Sequence, residues 1–250
     1  MARKFVKRRY RRRGNVAKRH PTMKAVAKRV VKTALSRQVE RKSRIIQLAD
    51  KQIKGTVVHW LNPLYYIPKG DQSYERLGDK LTNPRLELSL SYFHEGLPYG
   101  TTTDSSWLGS KLRVVVFKTR QQLTPDDADG WTDSIPGIGA VKNLFLNDYQ
   151  GSFSHLNRHD YTIMYDRTVS SMKPFYTSYP SFGPPGQLRT VISLGKEFRY
   201  TGMGANDIAG TAWGTHSNIY LAVVASGVNS SDVDKMGRLQ CTYRISWTDA

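Results

Sequence analysis

Six of the seven side chains in KRRYRRR, residues 7 to 13, are cationic. Lys7, Arg8, Arg9, Arg11, Arg12 and Arg13 can neutralise the phosphates of a polyanion, and Tyr10 among them can stack on an unpaired base. The same chemistry continues through Arg3, Lys4, Lys18, Arg19, Lys24, Lys28, Arg29, Lys32, Arg37, Arg41, Lys42 and Arg44. These residues with the Lys7 to Arg13 cluster and Tyr10 form the candidate nucleic-acid-binding set. The six cations of the cluster also suit the acidic groove of a nuclear import receptor, which makes them the candidate import signal. From Met1 to Lys54 there are 20 Lys and Arg against 2 Asp and Glu; from Gly55 to Ala250 there are 18 against 18. The entire net charge of +18 is therefore carried at the N-terminal end. A basic tail on a neutral body must meet nucleic acid, an anionic membrane or an import receptor.

Other residue patterns with chemical potential are weaker. DDADG, residues 126 to 130, has the flavour of a calcium loop, but aligning Asp127, Asp129 and Gly130 to an EF-hand puts Pro125 and Pro136 at the first and last ligand positions. His155 and His159 are four apart, yet GSFSHLNRHDY around them is turn-rich, so a loop pair without a metal is the reading. Gly202 and Gly204 lack the third glycine of a dinucleotide fingerprint, and no nucleophile elbow or phosphate-binding Gly-Lys loop occurs. Asp166 and Arg167 read as a strand-edge pair. The expectation is no enzyme, no metal and no cofactor.

The elements that carry the basic residues come in two parts. Residues 1 to 20 hold ten Lys or Arg and almost no apolar side chain, so disorder without a partner is expected. From Pro21 to Leu48 apolar residues recur at helical spacing, as in Ala27, Val31, Leu35 and Val39, which predicts a basic amphipathic helix over 21–48. It lacks aromatic anchors, and no run of 18 apolar residues exists anywhere, so no membrane insertion is expected. Domains of 1–50 (arm) and 51–250 (body) follow.

Past Gly55 the period becomes two. RLELSLSYF from Arg85 alternates Leu86, Leu88, Leu90 and Tyr92 with Arg85, Glu87, Ser89 and Ser91; RLQCTYRISW from Arg238 does the same with Leu239, Cys241, Tyr243, Ile245 and Trp247 on one side. Shorter runs at 56–67, 112–117, 161–166, 189–194 and 219–226, with a weak one at 169–176, bring the total to eight candidate strands. The run 219–226 is apolar enough to be buried on both faces. Long Gly-, Pro- and Ser-rich loops favour a two-sheet sandwich over a meander, with an eight-stranded jelly roll ahead of an immunoglobulin-like rival. The single cysteine, Cys241, excludes an intramolecular disulfide.

The stretch IPKGDQSYERLGDKLTNPRLELSLSYF, with Gly70, Arg76 and Gly78 preceding a long alternating strand, resembles the junction of the first strands in capsid proteins of circovirus-like, small circular single-stranded DNA viruses. LRVVVFKTRQQ, RHDYTIMYDRTVS, NIYLAVVASG and CTYRISWTD are similar to later strands of that group. The resemblance implies a jelly-roll coat protein that assembles with itself, as sixty copies in a closed icosahedral shell. It also implies packaging of single-stranded nucleic acid, DNA favoured, entry to the host nucleus for assembly, location in the virion, and attachment to a host-cell receptor. The tail here is Lys-rich and partly helical where that group's is almost pure Arg. The competing expectation is a non-shell nucleic-acid-binding protein whose sandwich recognises a glycan or peptide.

Overall fold

The computed structural model describes residues 22–24, 26–28, 30–31, 41–54, 57–65, 67–94, 110–123, 130–134, 141, 143–146, 154–172, 184–201, 214, 216–226 and 237–249. The chain forms two compact units, Met1–Val39 and Glu40–Ala250. The second unit begins at Glu40, ahead of the boundary expected at 50, because Arg41–Gln47 pairs with Thr242–Thr248 and so belongs to the sandwich.

Eleven strands make up the described part of that unit. They are β1 (Arg41–Gln47), β2 (Lys51–Ile53), β3 (Val58–Leu61), β4 (Lys80–His94), β5 (Ser110–Thr119), β6 (Thr132–Ser134), β7 (Thr162–Ser171), β8 (Gly186–Ser193), β9 (Glu197–Arg199), β10 (Asn218–Ser226) and β11 (Gly237–Asp249). They pair antiparallel in two sheets. One runs β1-β11-β4-β8, with β2 also on β11 and β9 also on β4; the other runs β6-β3-β10-β5-β7. Of the expected run at 169–176, residues up to Ser171 finish β7, and residues 173–176 lie outside the described residues.

The two longest strands follow from alternation. Leu86, Leu88, Leu90 and Tyr92 of β4 and Tyr243, Ile245 and Trp247 of β11 are buried, and they pack with Leu112, Val114 and Val116 of β5 and Leu221, Val223 and Ala225 of β10 in one core. Each such side chain contributes roughly 1.5–3 kcal/mol of burial. The five-stranded sheet also buries its other face. Val115, Phe117, Tyr220, Ala222 and Val224 pack there against Val141, Leu144, Phe145, Leu156 and Tyr161 from the long connections. This explains why β10 reads as a continuous apolar run rather than an alternating one. Phe117 stacks on Tyr220 at 5.5 Å and meets Tyr161 edge-on at 5.3 Å.

The helix expected over 21–48 is corrected at its far end. Met23, Lys24, Val26, Ala27, Lys28, Val30 and Val31 are helical, and the Val26 N–H donates to the Thr22 carbonyl at 3.0 Å. Arg41–Gln47, however, is a strand, paired residue by residue with Thr242–Thr248 of β11. The exposed edge of a 13-residue strand offers more hydrogen bonds and apolar contact than a solvated helical turn does. Lys42 disguised it: a lysine in the inward register breaks the period-two pattern, and here it is 1 % exposed with Nζ donating to the Glu75 carbonyl at 3.1 Å.

A polar cluster links the two sheets at one end. His59 of β3 is fully buried; its Nδ1 donates to Asp133 Oδ1 of β6 at 2.7 Å and its Nε2 accepts from the Lys54 N–H at 3.3 Å, while Lys51 of β2 reaches Asp133 at 2.8 Å. Burial pushes the His59 pKa below its ordinary 6.5, outweighing the opposing pull of the Asp133 carboxylate. Burial raises Asp133, but the hydrogen bonds from His59 and Lys51 reverse this and hold it at about 2. A histidine lowered in the fold leaves the unfolded chain with more bound protons below pH 6.5. Stability is therefore full above that pH and falls as pH drops through it. The Asp133 contribution is present above 3.8 and is lost only as pH falls toward about 2. Urea unfolding across pH 8 to 5 is expected to show the first loss below pH 6.5, and His59→Asn to lower the midpoint at pH 8 while flattening that slope. A wild-type midpoint that is level from pH 7 to 5 contradicts the assignment.

Candidate nucleic-acid interface

The basic set divides by position. Arg3, Lys4, Lys7, Arg8, Arg9, Tyr10, Arg11, Arg12, Arg13, Lys18 and Arg19, which include the candidate import signal, lie outside the described residues, as do Arg29, Lys32 and Arg37. Lys24 and Lys28 are exposed, four apart on helical backbone, and so share one face. Val26 and Val30, also four apart, are exposed on the same short helix. A helix with its valines in solvent gains little from packing within its own unit. Lys24 and Lys28 likewise stand in solvent.

The remaining three members sit in β1 and have separate fates. Arg41 is exposed. Arg44 is half-buried, opposite Ile245, and its charge acts on the buried Tyr200 hydroxyl. Lys42 is corrected: it is buried, and its ammonium donates to the Glu75 carbonyl at 3.1 Å instead of standing in solvent. Only Arg41 of the three presents its charge outward.

Other singled-out residues take structural positions. Asp166 does not pair with its neighbour Arg167. It accepts from Arg113 Nε at 2.8 Å and from a second guanidinium nitrogen at 2.7 Å, a two-point pair across β5 and β7, and Arg113 also donates to the Ser154 carbonyl. His159 is 95 % exposed beside Asp160, and His155 is exposed. Among the described residues no three His, Cys, Asp or Glu stand close enough to hold a metal ion. The 126–129 part of the acidic loop, Gly202 and Gly204 lie outside the described residues. Cys241 is buried in β11, and burial pushes its thiol up to about 12.

Sequence reasoning missed the arginines on the outward side of the six-stranded sheet, Arg85, Arg189 and Arg244, all exposed. The signal was present in part: Arg85 and Arg244 are polar alternates of the two clearest strands. Only strand pairing, which composition does not reveal, makes them neighbours.

No family model matches the sequence, and no curated protein matches it. Among solved structures the chain is similar to the infectious bursal disease virus VP2 subviral particle, at 11% identity and a TM-score of 0.28, over 83% of this chain and 33% of that one. The chain thus spans about a third of that structure's length.

Proposed function

We propose that this chain is the coat protein of a small single-stranded DNA virus. Its sandwich assembles with copies of itself into a closed icosahedral shell, and its arm neutralises the packaged genome. The observation that carries this reading is the coincidence of a charge boundary with a structural one. Residues 1–39 hold 15 Lys and Arg and no acid, residues 40–250 hold 23 against 20, and the sandwich unit begins at Glu40. An enzyme or receptor domain has no need of such a partition; a container that must hold a polyanion does.

The strand order supports a jelly-roll subunit. Setting aside the three-residue strands β2, β6 and β9 leaves eight strands in chain order. The first pairs with the eighth (β1, β11), the second with the seventh (β3, β10), the third with the sixth (β4, β8) and the fourth with the fifth (β5, β7). That nesting is what rolling up one long antiparallel ribbon produces. DNA as the polymer, and the import role of the Lys7 to Arg13 cluster, rest on the resemblance rather than on charge, which both nucleic acids satisfy equally.

Analytical sedimentation tests the reading. Full-length protein mixed with single-stranded DNA at low salt is expected to travel with the polymer as one narrow, fast species. A chain that binds the polymer yet never exceeds a few copies per complex counts against a shell.

A further inference from the structure

The outward side of the six-stranded sheet carries a depression of about 200 Å³ walled by arginine. Register explains it. Arg244 of β11 stands opposite Glu87 of β4, and Ser246 stands opposite Arg85, so Arg244 and Arg85 are diagonal neighbours on the same face. Such neighbours lie about 7–8 Å apart. Arg41 enters from β1, opposite Thr248. Between the pairs Ser246–Arg85 and Thr248–Thr82 the register shifts, so that Asn83 and Pro84 together face Trp247 alone. Asn83 takes φ 50°, the left-handed region that asparagine tolerates, and the resulting bulge hollows the sheet surface beside the three arginines.

The charges in this hollow do not balance. Glu87 is the one acid on its wall. Its carboxylate is 3.7 Å from Arg244, with both side chains more than 40% exposed, which makes a weak pair. Arg41 and Arg85 have no carboxylate partner among the described residues. Three guanidinium groups therefore converge against one carboxylate, with the Asn83 amide and the Ser246 hydroxyl as neutral donors beside them, while the Thr248 hydroxyl already donates to the Thr82 carbonyl at 3.0 Å. Guanidinium forks match phosphate oxygens two at a time, and an anion seated here relieves the repulsion between the arginines.

We propose that this depression is a second nucleic-acid site, built by the sandwich itself, which takes the sugar-phosphate backbone of a single strand. It rests on the reading that the arm binds the same polymer. Charge complementarity selects a polyanion, and chain continuity selects which one: Arg41 follows Arg37 by four residues, so the run of phosphate-binding cations leads along the chain into this wall. The contact is with phosphate and sugar, and so is indifferent to base sequence.

The test uses full-length protein and a labelled oligothymidylate, followed by anisotropy from about 50 to 200 mM salt. Replacing Arg85 and Arg244 together by Gln removes two phosphate contacts. The slope of log K against log salt is expected to become shallower by about 1.4, and affinity near 100 mM to fall about tenfold. Glu87→Gln is expected to tighten binding several-fold, a gain that unfolding cannot produce. Wild-type protein that fails to bind, or binds without salt dependence, sinks the arm reading. Wild-type protein that binds normally while R85Q/R244Q and E87Q both match it overturns this site alone. A double variant that binds weakly while E87Q shows no gain also overturns it. Heparin, run as a parallel probe, separates the remaining source: if R85Q/R244Q loses heparin but keeps oligothymidylate, the hollow belongs to an acidic glycan and the proposal fails.

Discussion

Removing residues 1–39 is expected to reduce affinity for single-stranded nucleic acid by at least three orders of magnitude near 100 mM salt. The segment carries 15 Lys and Arg and no acid. If about ten of these engage phosphates at once, the full-length slope of log K against log salt is near −7, and affinity falls by about 10⁴ between 50 and 200 mM. The shortened protein keeps only the sheet-face arginines, so its slope should flatten to about −2. The cut belongs at Val39. Cutting after Arg44 would remove half of β1, expose the edge of β11 and confuse a binding effect with an unfolding one. Binding by the 40–250 protein as tight and as salt-sensitive as that of the whole chain would show that the arm is not the main contact.

Arg76→Ala is expected to cost about 3–4 kcal/mol of stability. Arg76 is 5 % exposed, in the connection between β3 and β4. Its Nε donates to the Ile67 carbonyl at 3.2 Å, and a second nitrogen donates to the Gly78 carbonyl at 2.7 Å and to Asp79 Oδ1 at 3.0 Å. The guanidinium also lies 4.3 Å from the centre of the Tyr200 ring. Alanine strips two carbonyls of their donor, at roughly 1–3 kcal/mol each, and removes a desolvated cation–π contact of about 1–2 kcal/mol. Asp79 is 48% exposed, so its own share is small, and Asp79→Asn should cost less than about 1 kcal/mol. Lysine keeps the charge but not the planar fork, and should recover under half the loss. In a domain of this size the alanine variant should melt roughly 10 °C lower. Melting within two degrees of wild type would mean that Arg76 does not fasten this connection.

How much of this was legible beforehand depended on what sets each feature. β4 and β11 could be read because one face of each is buried and the other wet, and β10 because both its faces are covered. β1 could not, since Lys42 and Arg44 take inward positions that a period-two search reserves for apolar residues. β2, β6 and β9 are three residues long, too short for any periodicity. The polyanion chemistry proposed for the arm could be read from composition alone, because that chemistry needs no geometry. The hollow walled by Arg41, Arg85 and Arg244 depends on three strands and a bulge at Asn83, so neither it nor the His59–Asp133 link, 74 residues apart in sequence, has a local signature.

The account's central claim is that this chain closes a shell around a polymer, and electron microscopy of purified full-length protein tests it most directly. Arms of net charge +15 repel one another when confined together, which opposes closure until phosphate neutralises them. With single-stranded DNA at low salt, micrographs are expected to show closed particles of one uniform diameter, and without polymer fewer or none. Protein that stays monomeric at high concentration, with and without DNA, would contradict the claim and leave the sandwich as a binding module on a nucleic-acid-binding arm.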